Sequence, residues 1–75
     1  MQTIGERAAQ AIRERAERNK ITLQQECEKL NVSRKSYHFW NTKGINPGAY
    51  FLQQMVLQGY DVIWILTGVK GSNGK

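Results

Sequence analysis

The residues that could do chemistry are gathered in one stretch: Arg34, Lys35, Ser36 and, one turn further on, His38. All four donate hydrogen bonds, and no acid lies among them. Ser33 precedes them as a helix N-cap. In the helix it starts, Tyr37 and Trp40 stand three apart and face inward, which turns Arg34, Lys35, Ser36 and His38 to solvent. Donors on the outward, N-terminal part of a short helix suit base edges in a major groove. Arg34 can set two parallel donors against guanine O6 and N7. Lys35 can reach a guanine or a phosphate. Neutral His38 can donate or accept, and its charged form would strengthen binding at low pH. For each, the plainer reading is a solvated side chain; it fits Ser36 best and Arg34 least. Phe39 either meets a thymine methyl or covers the edge of the core against the following helix, and the second reading is preferred.

Other chemistry finds little to work with. There is one histidine, one cysteine, no clustered carboxylates, no metal-ligand spacing and no phosphate-cradling glycine loop. No enzyme, metal, cofactor or small-molecule ligand is expected. Cys27 falls on the apolar face of its helix and reads as a packing thiol. The net charge is +5, and its distribution says more than its size: from Lys29 to Tyr60 there are four cations and no acid. A one-sign field of that length suits a polyanion, though charge alone also fits a surface kept basic for solubility. No signal-peptide h-region and no apolar run near the ~20 residues of a membrane span is present. A soluble protein in a reducing cytoplasm is expected.

The elements that must hold these residues follow from periodicity and caps. Seventy-five residues allow one domain, here residues 1–69, with a Gly/Ser/Asn-rich flexible tail at 70–75. A domain of this size buries only about 60–65% of its unfolded surface. The first helix runs from Thr3 to Arg18, with a Thr3/Glu6 capping box, an apolar stripe of Ile4, Ala8, Ala11, Ile12 and Ala16, and an i,i+4 pair between Glu14 and Arg18. Thr22 and Gln25 form a second capping box, and Leu23, Cys27 and Leu30 share one face. Asn31 is the left-handed residue of the turn. The third helix ends at Lys43 with Gly44 as its cap. A fourth is capped by Asn46 with Pro47 at its first position and buries Phe51, Leu52, Met55 and Val56. Asp61 caps a fifth, Val62 to Leu66, ended by Thr67 and Gly68. The fifth is apolar almost all round, so Val62, Ile63, Trp64 and Ile65 predict a homodimer contact; the plainer reading tucks that helix wholly under the first and fourth. No strand signal occurs, and the fold class is all-α.

Four pieces of the chain carry a family resemblance. They are Ile4-Gly5-Glu6-Arg7, Thr22 to Ser33, Trp40 to Pro47, and Gly59 to Gly68. In order and in register, over nearly the whole of Ile4 to Gly68, they resemble the Cro and phage-repressor type of helix-turn-helix regulators, also called the Xre type. The second piece resembles a T-Q-x-E-L-A-x-x-L-G-V-S stretch and the third a W-x-x-R-G-x-x-P variant. The chain departs from that pattern at Leu23, where a backbone-touching glutamine is usual; Gln24 is the nearest replacement. Glu26 stands for a leucine, Cys27 for an alanine, Asn31 for the turn glycine and Tyr37 for Ile or Val.

The resemblance implies a five-helix, lambda-repressor-like domain whose second and third helices form the helix-turn-helix. Base reading then falls on Arg34, Lys35, Ser36, His38 and Phe39. Backbone contacts fall on Thr22, Gln24, Ser33, Thr42, Lys43 and Gly44, with Arg7 a lesser candidate. It implies a dimeric transcription regulator, in the simplest case a repressor of its own promoter, on a pseudo-palindromic operator in double-stranded DNA. The bacterial, nucleoid-associated cytoplasmic setting is likewise what the resemblance implies. Small stand-alone members include phage repressors, antitoxins and the autorepressors that accompany anti-CRISPR genes. The competing class is an antitoxin-type interaction module that binds DNA as a second role. Single-strand or RNA binding by Tyr37, Phe39 and Trp40 is a third option, disfavoured because their spacing is that of core positions.

Overall fold

The described residues form five helices: α1 (Ile4–Asn19), α2 (Leu23–Lys29), α3 (Arg34–Lys43), α4 (Ala49–Leu57) and α5 (Val62–Thr67). The structure is a computed structural model and describes residues 2–69; the tail expected at 70–75 lies outside them. No strand occurs among the described residues, whose fold is all-α. Among them, no helix is long and apolar enough to cross a membrane.

α1 is the frame. It packs on α2, α3 and α5, while α4 packs on α5 and reaches α3 through the edge of Phe51 on Trp40, centroids 5.4 Å apart. A helix with three neighbours needs a wider apolar face than one stripe. Gly5 and Ala9 are accordingly buried beside Ala8, Ile12 and Ala16, with Ile4 and Ala11 packed at the margin. Gly5 marks the closest approach: a Cβ there would stand 2.0 Å from the Ile45 carbonyl oxygen and 3.3 Å from the Trp40 Cα. Leu30, Val32, Tyr37, Trp40, Met55, Tyr60 and Ile65 complete the core around Cys27.

The helix starts follow their caps. Thr3 with Glu6 and Thr22 with Gln25 form reciprocal capping boxes, and Ser33 and Asp61 accept from Ser36 and Trp64 amides. Asn31 takes the left-handed conformation at φ 59, as does Lys20 at φ 58. The tight α1–α2 joint thus tolerates a non-glycine residue in the same way as the α2–α3 turn.

Several sequence expectations are corrected. α4 is capped by Gly48 with no side-chain acceptor. Asn46 is unavailable because its Oδ1 accepts from the Gly5 amide, 3.1 Å away, one of the orphan donors of α1's first turn. Val56 is 55% exposed, since α4 has only α5 as a close helical neighbour. Glu14 accepts from Gln10 and makes no ion pair with Arg18. Glu26, which stands where the resembled pattern has a leucine, is buried as that leucine would be, 1% exposed.

Candidate nucleic-acid interface

α3 is fixed from behind and open in front. Tyr37 and Trp40 are 6% and 4% exposed and press into α1 and Phe51. The Tyr37 hydroxyl accepts from Arg13 at 3.2 Å, which adds a polar tie to the apolar ones. With those two rings inward, Arg34, Lys35 and His38 are exposed on the opposite side. None of the three meets a carboxylate within ion-pair distance among the described residues, where the ion pair present is Lys29–Glu26. The Lys35 ammonium lies 5.8 Å from the Phe39 ring centroid, and His38 lies 5.9 Å from the same ring, tilted by 54°. Phe39 is half-buried but is not among the side chains packed on the core. Its ring lies beside the two donors on its own helix, Lys35 and His38.

The other expected contacts are placed unequally. Ser33 Oγ accepts the Ser36 amide and donates to Ser36 Oγ at 3.1 Å, so the two hydroxyls are first of all partners of each other. Thr22 Oγ accepts the Gln25 amide. Gln24 is exposed and held only by a 3.4 Å contact to Glu28. Lys43 is exposed at the end of α3. The Thr42 hydroxyl donates back to the His38 carbonyl at 2.7 Å, and the Gly44 amide closes α3 on the Phe39 carbonyl. Both donors are engaged within the chain. Arg7 is likewise unavailable, since it donates to the carbonyls of Ile65, Leu66 and Gln2.

Of the four residues expected at a dimer contact, Ile65 is fully buried, and Val62 and Trp64 pack against the core. Ile63 faces out, 57% exposed, together with Leu66, Val56 and Leu57. The free apolar surface is therefore shared between α4 and α5. A period of 3.6 does not say which part of an all-apolar helix meets the core; the position of α1 decides it.

Burial also sets the chemistry of two groups. Desolvation raises the pKa of the Cys27 thiol, against the lowering effect of nearby Arg34, which keeps it a packing group. Burial and the hydrogen bond to Glu26 push the Tyr60 phenol above the usual tyrosine range. A cavity of about 180 Å³ opens between α1 and the α4–α5 joint, with Arg15 and Arg18 beside Glu14 and Asp61. It is smaller than the roughly 300 Å³ at which ligand pockets begin, and no part of its wall comes from α2 or α3. Among the described residues no group of His, Cys, Asp and Glu could hold a metal.

The signal that sequence reasoning missed is Glu26 with Tyr60. The hint lay in an acid at a position flanked by Leu23, Cys27 and Leu30 on a capped helix, with no periodic reason to face water. No protein-family model, curated protein or solved structure matches the chain.

Proposed function

We propose that the protein is a sequence-specific double-stranded DNA-binding regulator that docks α3 in the major groove. One observation carries this reading. Arg34, Lys35 and His38 form an exposed, acid-free row of donors on a helix whose opposite side is locked by Tyr37 and Trp40. Arg34 then reads guanine, Lys35 reads guanine or phosphate, and His38 reads the base one turn along. Gln24, Lys43 and the Thr22 and Ser33 hydroxyls hold the backbone, which positions the helix without selecting sequence. Phe39, half-buried beside Lys35 and His38, offers its ring to a thymine methyl.

A single domain of this size selects too little sequence alone. The exposed Ile63, Leu66, Val56 and Leu57 support a twofold dimer, which would set two copies of α3 about 34 Å apart on a pseudo-palindromic site. As a regulator of the Xre type it would act by occupying its own promoter, as a repressor. The same apolar surface favours one second reading, an antitoxin-type module whose main partner is a protein.

Selection of bound duplexes from a random pool, followed by binding across a salt series, tests the proposal. The expected result is a symmetric site, and a log–log salt slope of about −0.9 for each phosphate neutralised. No enrichment and a flat salt response would sink it in favour of the interaction module.

A further inference from the structure

Glu26 is the charged residue buried in the core of the described chain. Its Oε2 accepts from the Tyr60 hydroxyl at 2.5 Å. Its Oε1 has no hydrogen-bond donor, and the Lys29 ammonium stands 4.0 Å off. Tyr60 is held on three sides. Its amide donates to the Met55 carbonyl at 2.9 Å, its hydroxyl to Glu26, and the Arg15 guanidinium covers its ring at 4.1 Å. Arg15 is itself anchored on the Gln58 carbonyl at 2.8 Å.

A half-satisfied buried carboxylate costs stability, and two apolar groups of the same shape would avoid that cost. What a directional pair adds is a single satisfied register. α2 has need of one. It is seven residues long, and its backbone packs on α1 and α3 but not on α4 or α5. Its apolar contacts through Leu23, Cys27 and Leu30 would survive a small rotation about the helix axis, whereas a 2.5 Å hydrogen bond to a phenol fixed by Met55 and Arg15 would not.

We infer that the Glu26–Tyr60 pair is an orientation peg, which sets the rotation of α2 from the α4–α5 joint and so the angle at which α3 is presented. Glu26 is a positioning residue, and the importance of that angle rests on the reading that α3 docks on duplex.

The test uses the full chain and four proteins: wild type, Glu26→Gln, Tyr60→Phe and the double variant Glu26→Leu with Tyr60→Phe. Residual dipolar couplings report the orientation of α2 and α3 relative to α1 without DNA; chemical denaturation reports stability; duplex binding is measured separately. Glu26→Gln keeps an acceptor for the Tyr60 hydroxyl and should retain the wild-type couplings. The double variant should be at least as stable as wild type, yet its α2–α3 couplings should no longer fit the wild-type orientation, and duplex affinity should fall roughly tenfold, as for directly coupled neighbours. Wild-type couplings in a fully stable double variant overturn the peg. If the double variant does not fold, Tyr60→Phe decides: unchanged couplings overturn it and altered ones support it. Altered couplings with a wild type that binds no duplex would leave the peg standing and retire the proposed function instead.

Discussion

Arg7, Arg13 and Arg15 on α1 carry the same charge as Arg34, Lys35 and Lys43 on α3, and the fold uses the two groups differently. Arg7 donates to the Ile65 and Leu66 carbonyls at 2.8 and 3.2 Å, and Arg15 to the Gln58 carbonyl at 2.8 Å. Those carbonyls belong to the C-terminal ends of α5 and α4, where acceptors lack helical partners and the helix dipole favours a cation. Arg13 donates to the Tyr37 hydroxyl and to Asn41. The α1 arginines are therefore internal caps and ties. The α3 cations have no carbonyl or carboxylate acceptor among the described residues, and they remain available to a ligand. Charge counted along a sequence does not separate these roles; the location of orphan carbonyls does.

The comparison breaks most visibly if α1 is disturbed as the frame. Gly5→Ala places a methyl group 2.0 Å from the Ile45 carbonyl oxygen. The obstacle is backbone, which cannot rotate away as a side chain can, so the loss should be about 3 kcal/mol. Urea denaturation would show it as a lower midpoint at unchanged slope. A midpoint within error of wild type would mean that α1 and the α3–α4 connection do not meet this closely.

Arg7→Ala comes next. Removing three donated hydrogen bonds, of which the one to the Ile65 carbonyl is part-buried and those to Gln2 and Leu66 are exposed, should cost about 1–2 kcal/mol of stability, while duplex affinity per folded molecule stays unchanged. Arg7→Lys should recover little of the loss, because an ammonium cannot reproduce a fork aimed at two carbonyls. A fall in duplex affinity without a fall in stability would move Arg7 into the binding group and erase the distinction.

The sequence made the α3 side of this comparison legible. The caps at Thr3, Thr22, Ser33 and Asp61, the left-handed Asn31, and the inward Tyr37 and Trp40 are local signals, because a cap or a one-face pair needs only residues within a turn. The α1 arginines, Asn46, Glu26 and Ile65 were not legible. Their partners lie far along the chain, as Gly5 does from Asn46 or Tyr60 from Glu26, and no local rule assigns a side chain to a distant carbonyl. Phe39 was ambiguous for a different reason: a ring beside Lys35, one turn back, and His38, its neighbour in sequence, obeys the same spacing as a ring on a core edge.

Arg34→Ala sharpens the contrast from the other side. Stability should stay within about 0.5 kcal/mol of wild type, as at other unpartnered surface positions. Binding to the selected duplex should lose about 1–3 kcal/mol, with base choice relaxed at one position. Lys43→Ala should instead weaken every duplex alike and reduce the salt slope by about 0.9. Equal losses across all sequences for both variants would mean that α3 is not the reading helix.

The smallest effect is absent at neutral pH and appears only in alkali, where it isolates the frame from the binding surface. Burial, then the bond to Glu26, raises the Tyr60 pKa in the folded protein. The folded chain therefore keeps a proton that the unfolded chain releases near the ordinary tyrosine value of about 10. With a raised folded pKa, the contribution is fully present below that value and is lost as pH climbs above it. One such group steepens the fall in stability by at most about 1.4 kcal/mol per pH unit. Denaturation midpoints between pH 8 and 11 should thus fall more steeply for wild type than for Tyr60→Phe. The informative quantity is the difference between the two slopes, because whatever the two proteins share cancels in it. Arg34→Ala, which touches neither Tyr60 nor Glu26, should follow the wild-type curve. Parallel curves for wild type and Tyr60→Phe would show that the phenol is not held between Glu26 and Arg15, and the frame would lose the contact that joins α2 to the α4–α5 joint.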